Sequence, residues 1–318
     1  MLKDFFDKRN SLANRRKAKE FCVSLFRYAF LIGVSYLILF PVIYMCVTAF
    51  QSVDSASDPT VVWVPKELSL KAIKISMELM NFWKSLLLTS TITIGSTACA
   101  LVSCSITGYG LARFKFKGKG LVLILVILTI IIPPQTMFAS SYILYRFFDF
   151  GGLLSLFGVS FNLLNSPSIF MVPAIFAAGL RNGIFIFIFY SFFQGLPYEM
   201  EEAAKIDGCG VFKTFVKVML PLAIPAFITV LLFSIVWHWT DFNSTSIYFT
   251  QEVQPLMVTI PRLKTNIRLF YSDGAASTVA IRMYIQAACF LIISPILILF
   301  AFTQKYFTES IERTGLVG

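Results

Sequence analysis

Long apolar runs alternate with short polar segments along the whole chain. A bilayer core about 30 Å thick is crossed by roughly 20 helical residues, because each residue rises about 1.5 Å. Six runs are long enough: Phe21–Phe50, Phe82–Ala112, Leu121–Tyr145, Ile169–Phe193, Leu220–Ile247 and Ile281–Phe302. The pattern therefore predicts an all-α polytopic membrane protein with six transmembrane helices.

Composition excludes the alternative of a large soluble domain. Of the 318 residues, 57% are hydrophobic and 14% are charged, whereas soluble domains carry about 25% charged residues. So few charges cannot cover so much apolar surface in water. The formal net charge is +10, and the excess of Lys and Arg lies between the apolar runs. This placement is better explained by membrane topology and anionic lipid than by binding of nucleic acid.

The distribution of Lys and Arg predicts the orientation in the membrane. One side of the six spans carries 17 of these residues and the other side carries seven. Because cytoplasmic loops are enriched in Lys and Arg, both termini are predicted to be cytoplasmic. We expect a basic cytoplasmic tail at 1–20, a six-helix membrane domain at 21–303 and a cytoplasmic C-terminal tail at 304–318.

The sequence offers little for catalysis. The glycines around Lys119 lack the spacing of a phosphate-binding loop. The single histidine, His238, has no metal-ligand pattern beside it except Asp241, and a lone histidine on a membrane helix is usually a packing or hydrogen-bonding residue. We therefore expect a protein without catalytic residues, bound metal or cofactor of its own.

The polar segment from 196 to 221 is the most informative one, and we call it the 196–221 loop. Its first part predicts a short helix that begins near Pro197, has acidic residues in its first turn and continues through two alanines. Gly208 and Gly210 end that helix in a sharp turn. A second short helix is expected to place its apolar residues on one face, before Pro221 opens the next span. The apolar residues of that face are Val211, Phe212, Phe215, Val216 and Met219.

Physical reasoning leaves two interpretations of this loop. It is either an interfacial helix pair that joins two spans, or a docking element whose small residues enter a groove of a partner while its acidic flank selects basic residues there.

The same residues resemble the EAA loop of the permeases of binding-protein-dependent ABC importers. That motif reads E-A-A-x-x-x-G, then nine residues, then I-x-L-P. The chain has Glu202, Ala203, Ala204 and Gly208, followed by Leu220 and Pro221 at the matching spacing. Asp207 before the glycine is also usual, whereas Val218 replaces the isoleucine and Cys209 a common alanine.

The resemblance extends across nearly the whole chain, and the MalG-like carbohydrate branch fits best. Residues 108–118 are similar to the end of the second span in that branch, and 239–242 to the W-N-D-F that ends its fifth span. The tail at 304–307 and the end at 314–318 also follow its pattern. Thr240 and Val317 depart from it.

The resemblance implies a type I importer (MetI-like) permease fold and a set of partners. These would be a second permease subunit, two ABC ATPase subunits that hold ATP and Mg, an extracellular or periplasmic substrate-binding protein, and the lipid of a bacterial plasma membrane. A heterodimer of permeases is favoured, although a homodimer is possible. The ATPase-docking residues would be Glu199, Glu201, Glu202, Ala203, Ala204, Asp207, Gly208, Leu220 and Pro221.

Six residues are candidates for the substrate pathway: Pro134, Gln135, Asn182, Trp237, Trp239 and Asp241. Each has a structural alternative. The adjacent prolines predict a bend that either packs or opens a cavity, and Asn182 beside Arg181 either contacts sugar or packs between helices. The tryptophans either stack on sugar rings or anchor at the interface, and Asp241 either caps a helix break or lines the pathway.

The resemblance to the carbohydrate branch implies that the cargo is a sugar, with an oligosaccharide favoured. Three alternatives remain at this point: the same machine for another solute, an ion-coupled transporter with His238, Asp241 and Arg181 as a proton relay, and a structural membrane scaffold.

Overall fold

The computed structural model describes residues 2–52, 55–56, 63–64, 67–153, 155–158, 160–271 and 278–315, and the side chains of these residues except 2–18, 155 and 305–315. The last three residues of the predicted C-terminal motif at 314–318 lie outside the described residues, as do the side chains of most of the predicted basic tail. The chain divides into two units, Met1–Ile75 with Ala276–Phe290 and Ser76–Ala275 with Leu291–Gly318.

Helix α1, Leu2–Ala49, dominates the first unit. Its segment Lys19–Ala49 is long and apolar enough to cross a membrane, and most of its side chains from 19 to 44 are exposed. The Trp63 ring packs on Tyr36 and Phe40 with centroids 5.8 and 5.6 Å apart. Exposed apolar surface of this extent is what lipid covers in a membrane protein.

The regular structure of the rest of the described chain is also helical, with isolated β-bridges such as Phe148 with Phe161. The further helices are α2 Lys71–Leu79, α3 Phe82–Arg113, α4 Lys119–Ile131, α5 Phe138–Arg146, α6 Ser168–Ile175, α7 Asn182–Gly195, α8 Glu199–Ile206, α9 Val211–Thr214, α10 Leu220–Leu222, α11 Ile224–Thr240, α12 Asn243–Tyr248, α13 Leu256–Phe270 and α14 Thr278–Gly315. Short 3₁₀ turns cover Pro134–Met137 and Ser155–Phe157, and Phe215–Met219 is a π-helical turn.

Helix α3 is the centre of the second unit, packed along α7 and α11. Small side chains on α3 allow close approach, and Gly108 lies directly against the backbone of α7 at Tyr190. Phe185, Phe189 and Phe193 of α7 are fully buried in the same core. Between α3 and α11, the hydroxyls of Thr97 and Ser234 are hydrogen bonded at 2.8 Å, a polar contact of the kind that joins helices in lipid.

Three described helical segments are long and apolar enough to be spans, and the count rises to five if each of two bent pairs is one span. Helices α4 and α5 form one pair, bent by 98° at the adjacent prolines, which confirms the predicted bend. The predicted fourth span is divided into α6 and α7. Arg181 has a left-handed φ of 57° at this interruption.

The position of Pro221 differs from the prediction. It lies within α10, and the next long helix begins at Ile224 after a 76° bend. Pro225 explains the displacement, because it has no N–H for the carbonyl of Pro221 and its ring clashes with that carbonyl in a continuous helix.

Candidate functional site

The first part of the 196–221 loop folds as its sequence predicts. Helix α8 begins at Glu199, two residues after Pro197, and has three acidic residues in its first turn. Gly208 follows the helix with a φ of 73°, and Cys209 donates its N–H to the carbonyl of Ala204 at 2.9 Å. This is the left-handed glycine stop that the sequence indicated.

The predicted docking residues divide between two faces of the loop. Glu201 and Ala204 are buried within the chain, and Leu220 is half-buried. The exposed members are Glu199, Glu202, Ala203, Asp207, Gly208 and Pro221. The free face of α8 therefore combines two carboxylates with the small side chain of Ala203, while the opposite face packs on the protein itself.

Glu201 has a partner that sequence reasoning missed. Its Oε1 lies 3.0 Å from Nε of Arg113, the last residue of α3. The same guanidinium donates from Nη2 to the carbonyl of Leu196 at 2.8 Å and lies 4.4 Å from the Tyr198 ring centroid. Arg113 lies within the sequence motif at 108–118. That motif indicated a family resemblance but did not predict which carboxylate would pair with the arginine.

The second part of the loop corrects the predicted single apolar face. Phe215 and Met219 are buried, whereas Val211, Phe212 and Val216 are exposed, Phe212 to 75%. The π-helical turn at Phe215–Met219 changes the residue spacing of an α-helix. This part of the loop therefore has two groups of apolar side chains, one buried in the protein and one exposed on its surface.

Two adjoining clefts lie in the second unit and share lining residues. The larger has a volume of about 320 Å³ and a mostly aromatic and apolar wall that includes Phe170, Tyr145 and Tyr248. The smaller, about 140 Å³, has a more polar wall that includes Gln135, Asp241 and Asn243. Residues lining both are Pro134, Phe138, Leu180, Arg181 and Ser244.

The clefts form where three helices are interrupted. The first interruption is at the extended residues Ile132 and Pro133, the second is at Arg181, and the third is at Asp241, where α11 has ended. Non-helical backbone at membrane depth is tolerated where it lines a cavity or is covered by protein. Four of the six predicted pathway residues are therefore brought together in the smaller cleft: Pro134, Gln135, Trp237 and Asp241.

Two charged side chains give these clefts their chemistry. The guanidinium carbon of Arg181 lies 4.4 Å from the Trp237 ring centroid, and that ring is also stacked near Phe185 and Phe233. Asp241 accepts the N–H of Ser244 on Oδ1 at 3.2 Å, while its buried Oδ2 has no hydrogen-bond partner among the described residues.

The other two predicted pathway residues are not among those that line the clefts. Asn182 is 1% exposed, and both of its amide atoms lack a hydrogen-bond partner in the described part of the chain. Trp239 is also buried, and its Nε1 donates to the carbonyl of Ile292 at 3.0 Å. Both side chains are buried, as expected for residues that pack between helices.

His238 is also absent from the cleft walls. It is buried on α11, where Nδ1 lies 2.8 Å from the carbonyl of Ser234. Within the described residues, no group of three or more His, Cys, Asp or Glu side chains is placed to hold a metal ion.

The chain is similar to known proteins in its sequence and in its fold. Residues 101–313 match the family described as binding-protein-dependent transport system inner membrane component. The polygalacturonan/rhamnogalacturonan transport system permease protein YtcP of Bacillus subtilis is 26% identical over 89% of this chain and 93% of its own length. The diacetylchitobiose uptake system permease protein DasC of Streptomyces coelicolor is 25% identical over 88% and 92%.

A solved structure shows the same fold. It is the crystal structure of a bacterial ABC transporter involved in the import of the acidic polysaccharide alginate. The matched chain superposes with a TM-score of 0.73 at 20% identity, over 90% of this chain and 96% of that one.

Proposed function

The chain belongs to the family of binding-protein-dependent transport system inner membrane components, and we propose that it is a permease subunit of an ATP-driven importer that carries an oligosaccharide into the cell. The observation that carries the proposal is the 196–221 loop, which presents Glu202 and Ala203 outward next to the turn at Gly208. Relatives that match most of this chain are named for the transport of polygalacturonan, diacetylchitobiose and raffinose.

The proposed topology has six spans and two cytoplasmic termini. Helices α4 and α5 together form one span, α6 and α7 another, and α11 with its neighbours a third. The remaining spans are α1, α3 and α14, each of which contains a segment that is long and apolar enough. The loops rich in Lys and Arg then face the cytoplasm, and residues 1–20 and 304–318 are the two tails.

The proposed assembly places the energy-using chemistry on other chains. A second permease, favoured as a different subunit, completes the pore, two ATPases bind ATP and Mg, and a binding protein delivers the sugar from outside. In this arrangement the exposed face of α8 docks on an ATPase, and the protein itself is a transport subunit of a bacterial plasma membrane rather than an enzyme.

The two clefts are the proposed sugar contact of this subunit. Arg181 lines both clefts and offers hydrogen-bond donors to hydroxyl groups, and Asp241 adds a carboxylate to the wall of the smaller one, beside aromatic walls that suit the apolar faces of sugar rings. Pro134, Gln135 and Trp237 complete the smaller cleft, whereas Asn182 and Trp239 support the helices behind it.

Affinity purification from native membranes followed by uptake measurements tests the proposal. We expect a second permease and an ATPase to be recovered with the chain, and we expect the complex in proteoliposomes, with its binding protein, to accumulate an oligosaccharide only when ATP is inside. Recovery of the chain alone, with uptake that follows an ion gradient and needs no ATP, would refute it.

A further inference from the structure

The last two turns of α3 hold both parts of the 196–221 loop. Tyr109 and Arg113 are four residues apart, so they lie on the same face of the helix. The Tyr109 ring lies 4.9 Å from that of Phe215 in the second part of the loop. Arg113 meets Glu201 in the first part.

The contacts of Arg113 form a buried and specific joint. Its carbonyl, aromatic and carboxylate partners all come from residues 196–201, which lead into α8 and form its first turn. Arg113 is 7% exposed and Glu201 is equally buried. Separating the two would leave an uncompensated charge in the interior, so the joint favours staying closed when neighbouring segments move.

Beyond the C-terminal end of α8, toward α11, the backbone contains positions that can change conformation. Gly208 is exposed with a left-handed φ of 73°, and the helix axis bends by 76° between α10 and α11. Glycine adopts many backbone conformations at little cost. A displacement of α8 can therefore be absorbed toward α11, whereas the link toward α3 is a buried ion pair that is costly to separate.

We propose that Arg113 is the positioning residue that transfers the movement of α8 to α3, and that Glu201 is its acceptor on α8 rather than a contact of the ATPase. This inference rests on the proposed function, in which an ATPase moves α8. Because α3 packs along α7, and α7 begins one residue after Arg181 of the clefts, a displacement of α3 reaches the wall of the proposed sugar site.

The roles of two neighbouring glutamates then separate. Glu202 is exposed and stands on the docking face, so its loss weakens attachment of the ATPase. Glu201 points inward, so its loss leaves attachment in place and breaks the transfer of movement. Sequence alone treats the two as one acidic flank.

The test uses the complete importer in proteoliposomes, with this chain, its partner permease, its ATPase and its binding protein. For Glu201→Gln, we expect the ATPase to copurify and hydrolyse ATP, while sugar transported per ATP hydrolysed falls about tenfold, within the usual range of coupling between sites. Glu252→Gln is the matched control, because Glu252 is exposed and lies outside the loop. It should keep the wild-type ratio.

A second variant separates positioning from simple stability. The double substitution Arg113→Gln with Glu201→Gln leaves no unpaired buried charge, so we expect it to assemble and resist heating better than Arg113→Gln alone. It should still transport little sugar per ATP, since two amides do not reproduce the ionic joint.

The inference would be overturned by a wild-type ratio of sugar to ATP in Glu201→Gln, or by full recovery of that ratio in the double variant. A loss of ATPase from Glu201→Gln equal to that of Glu202→Gln would also refute it, because Glu201 would then act as a docking residue. If the wild-type complex accumulates no oligosaccharide at all, the proposed function itself fails and this inference fails with it.

Discussion

A Cβ atom added to Gly108 would lie 2.5 Å from the Cβ of Phe189 and 2.9 Å from the backbone nitrogen of Tyr190. Real side chains do not approach so closely, so α3 and α7 owe their contact to the missing side chain at this position. The contact matters for function because Tyr109 and Arg113, which hold the 196–221 loop, follow on the same helix.

Gly108→Ala should destabilise the protein because the new methyl group forces α3 and α7 apart. Overpacking of this kind costs about 1–3 kcal/mol. Gly110→Ala is the matched control, since the nearest atom to its added Cβ is a Phe114 ring carbon at 3.8 Å. The thermal midpoint in detergent should fall for the first variant and stay near wild type for the second; equal midpoints would contradict the proposed close contact.

Arg181→Gln should impair sugar uptake, because the clefts lose the cation that lies on the Trp237 ring. We expect the apparent KM for transport to rise about tenfold, which corresponds to roughly 1.4 kcal/mol. Arg146→Gln serves as the comparison, as that exposed arginine also lies over an aromatic ring, Phe147, but lines neither cleft. Similar kinetics for the two variants would remove Arg181 from the sugar site.

Asp241→Asn should reduce uptake while the protein still inserts and folds. The asparagine Oδ1 can keep the hydrogen bond from the Ser244 N–H, but the carboxylate in the wall of the smaller cleft is lost. Asp149→Asn is a close structural control, because Asp149 also accepts an N–H three residues later, from Gly152. Uptake measured at equal membrane abundance distinguishes them, and an unaffected Asp241→Asn would mean that this carboxylate only supports the turn.

Ala203→Leu and Ala204→Leu should fail in different ways. Ala203 is exposed on α8, so a larger side chain there should block the ATPase and lower its copurification without changing the thermal midpoint. Ala204 is buried, so leucine should cost about 1–3 kcal/mol of folding stability through overpacking. Loss of ATPase with unchanged stability in both variants would show that the two alanines share one docking face.

Local sequence signals predicted those elements that depend on near neighbours. The predicted span Phe82–Ala112 ends within one residue of α3, because a long, mainly apolar segment is followed directly by a basic one. The bend at Pro133–Pro134 and the glycine stop at Gly208 follow from backbone chemistry at those positions. These features needed no knowledge of the rest of the fold.

The remaining features depend on residues that meet only after folding. Glu201 and Glu202 are equivalent in the sequence. Only the folded structure, which places Arg113 next to Glu201, shows that Glu201 points inward and Glu202 outward. In the same way, Trp237 and Trp239 are near neighbours on α11, yet one lines a cleft and the other donates to Ile292. Helical geometry predicts that they diverge, but not which of them faces a cavity.

The two-sided construction of α8 has a genetic consequence. A defect on its exposed side, such as a lysine at Glu202, should be repaired by second mutations in the gene of the ATPase that receives that side. A defect at Glu201 should instead be repaired within this same gene, by codon changes clustered around Arg113 and Tyr198. The positions of spontaneous revertant mutations would therefore show which face of α8 contacts the permease subunit itself and which face contacts the ATPase.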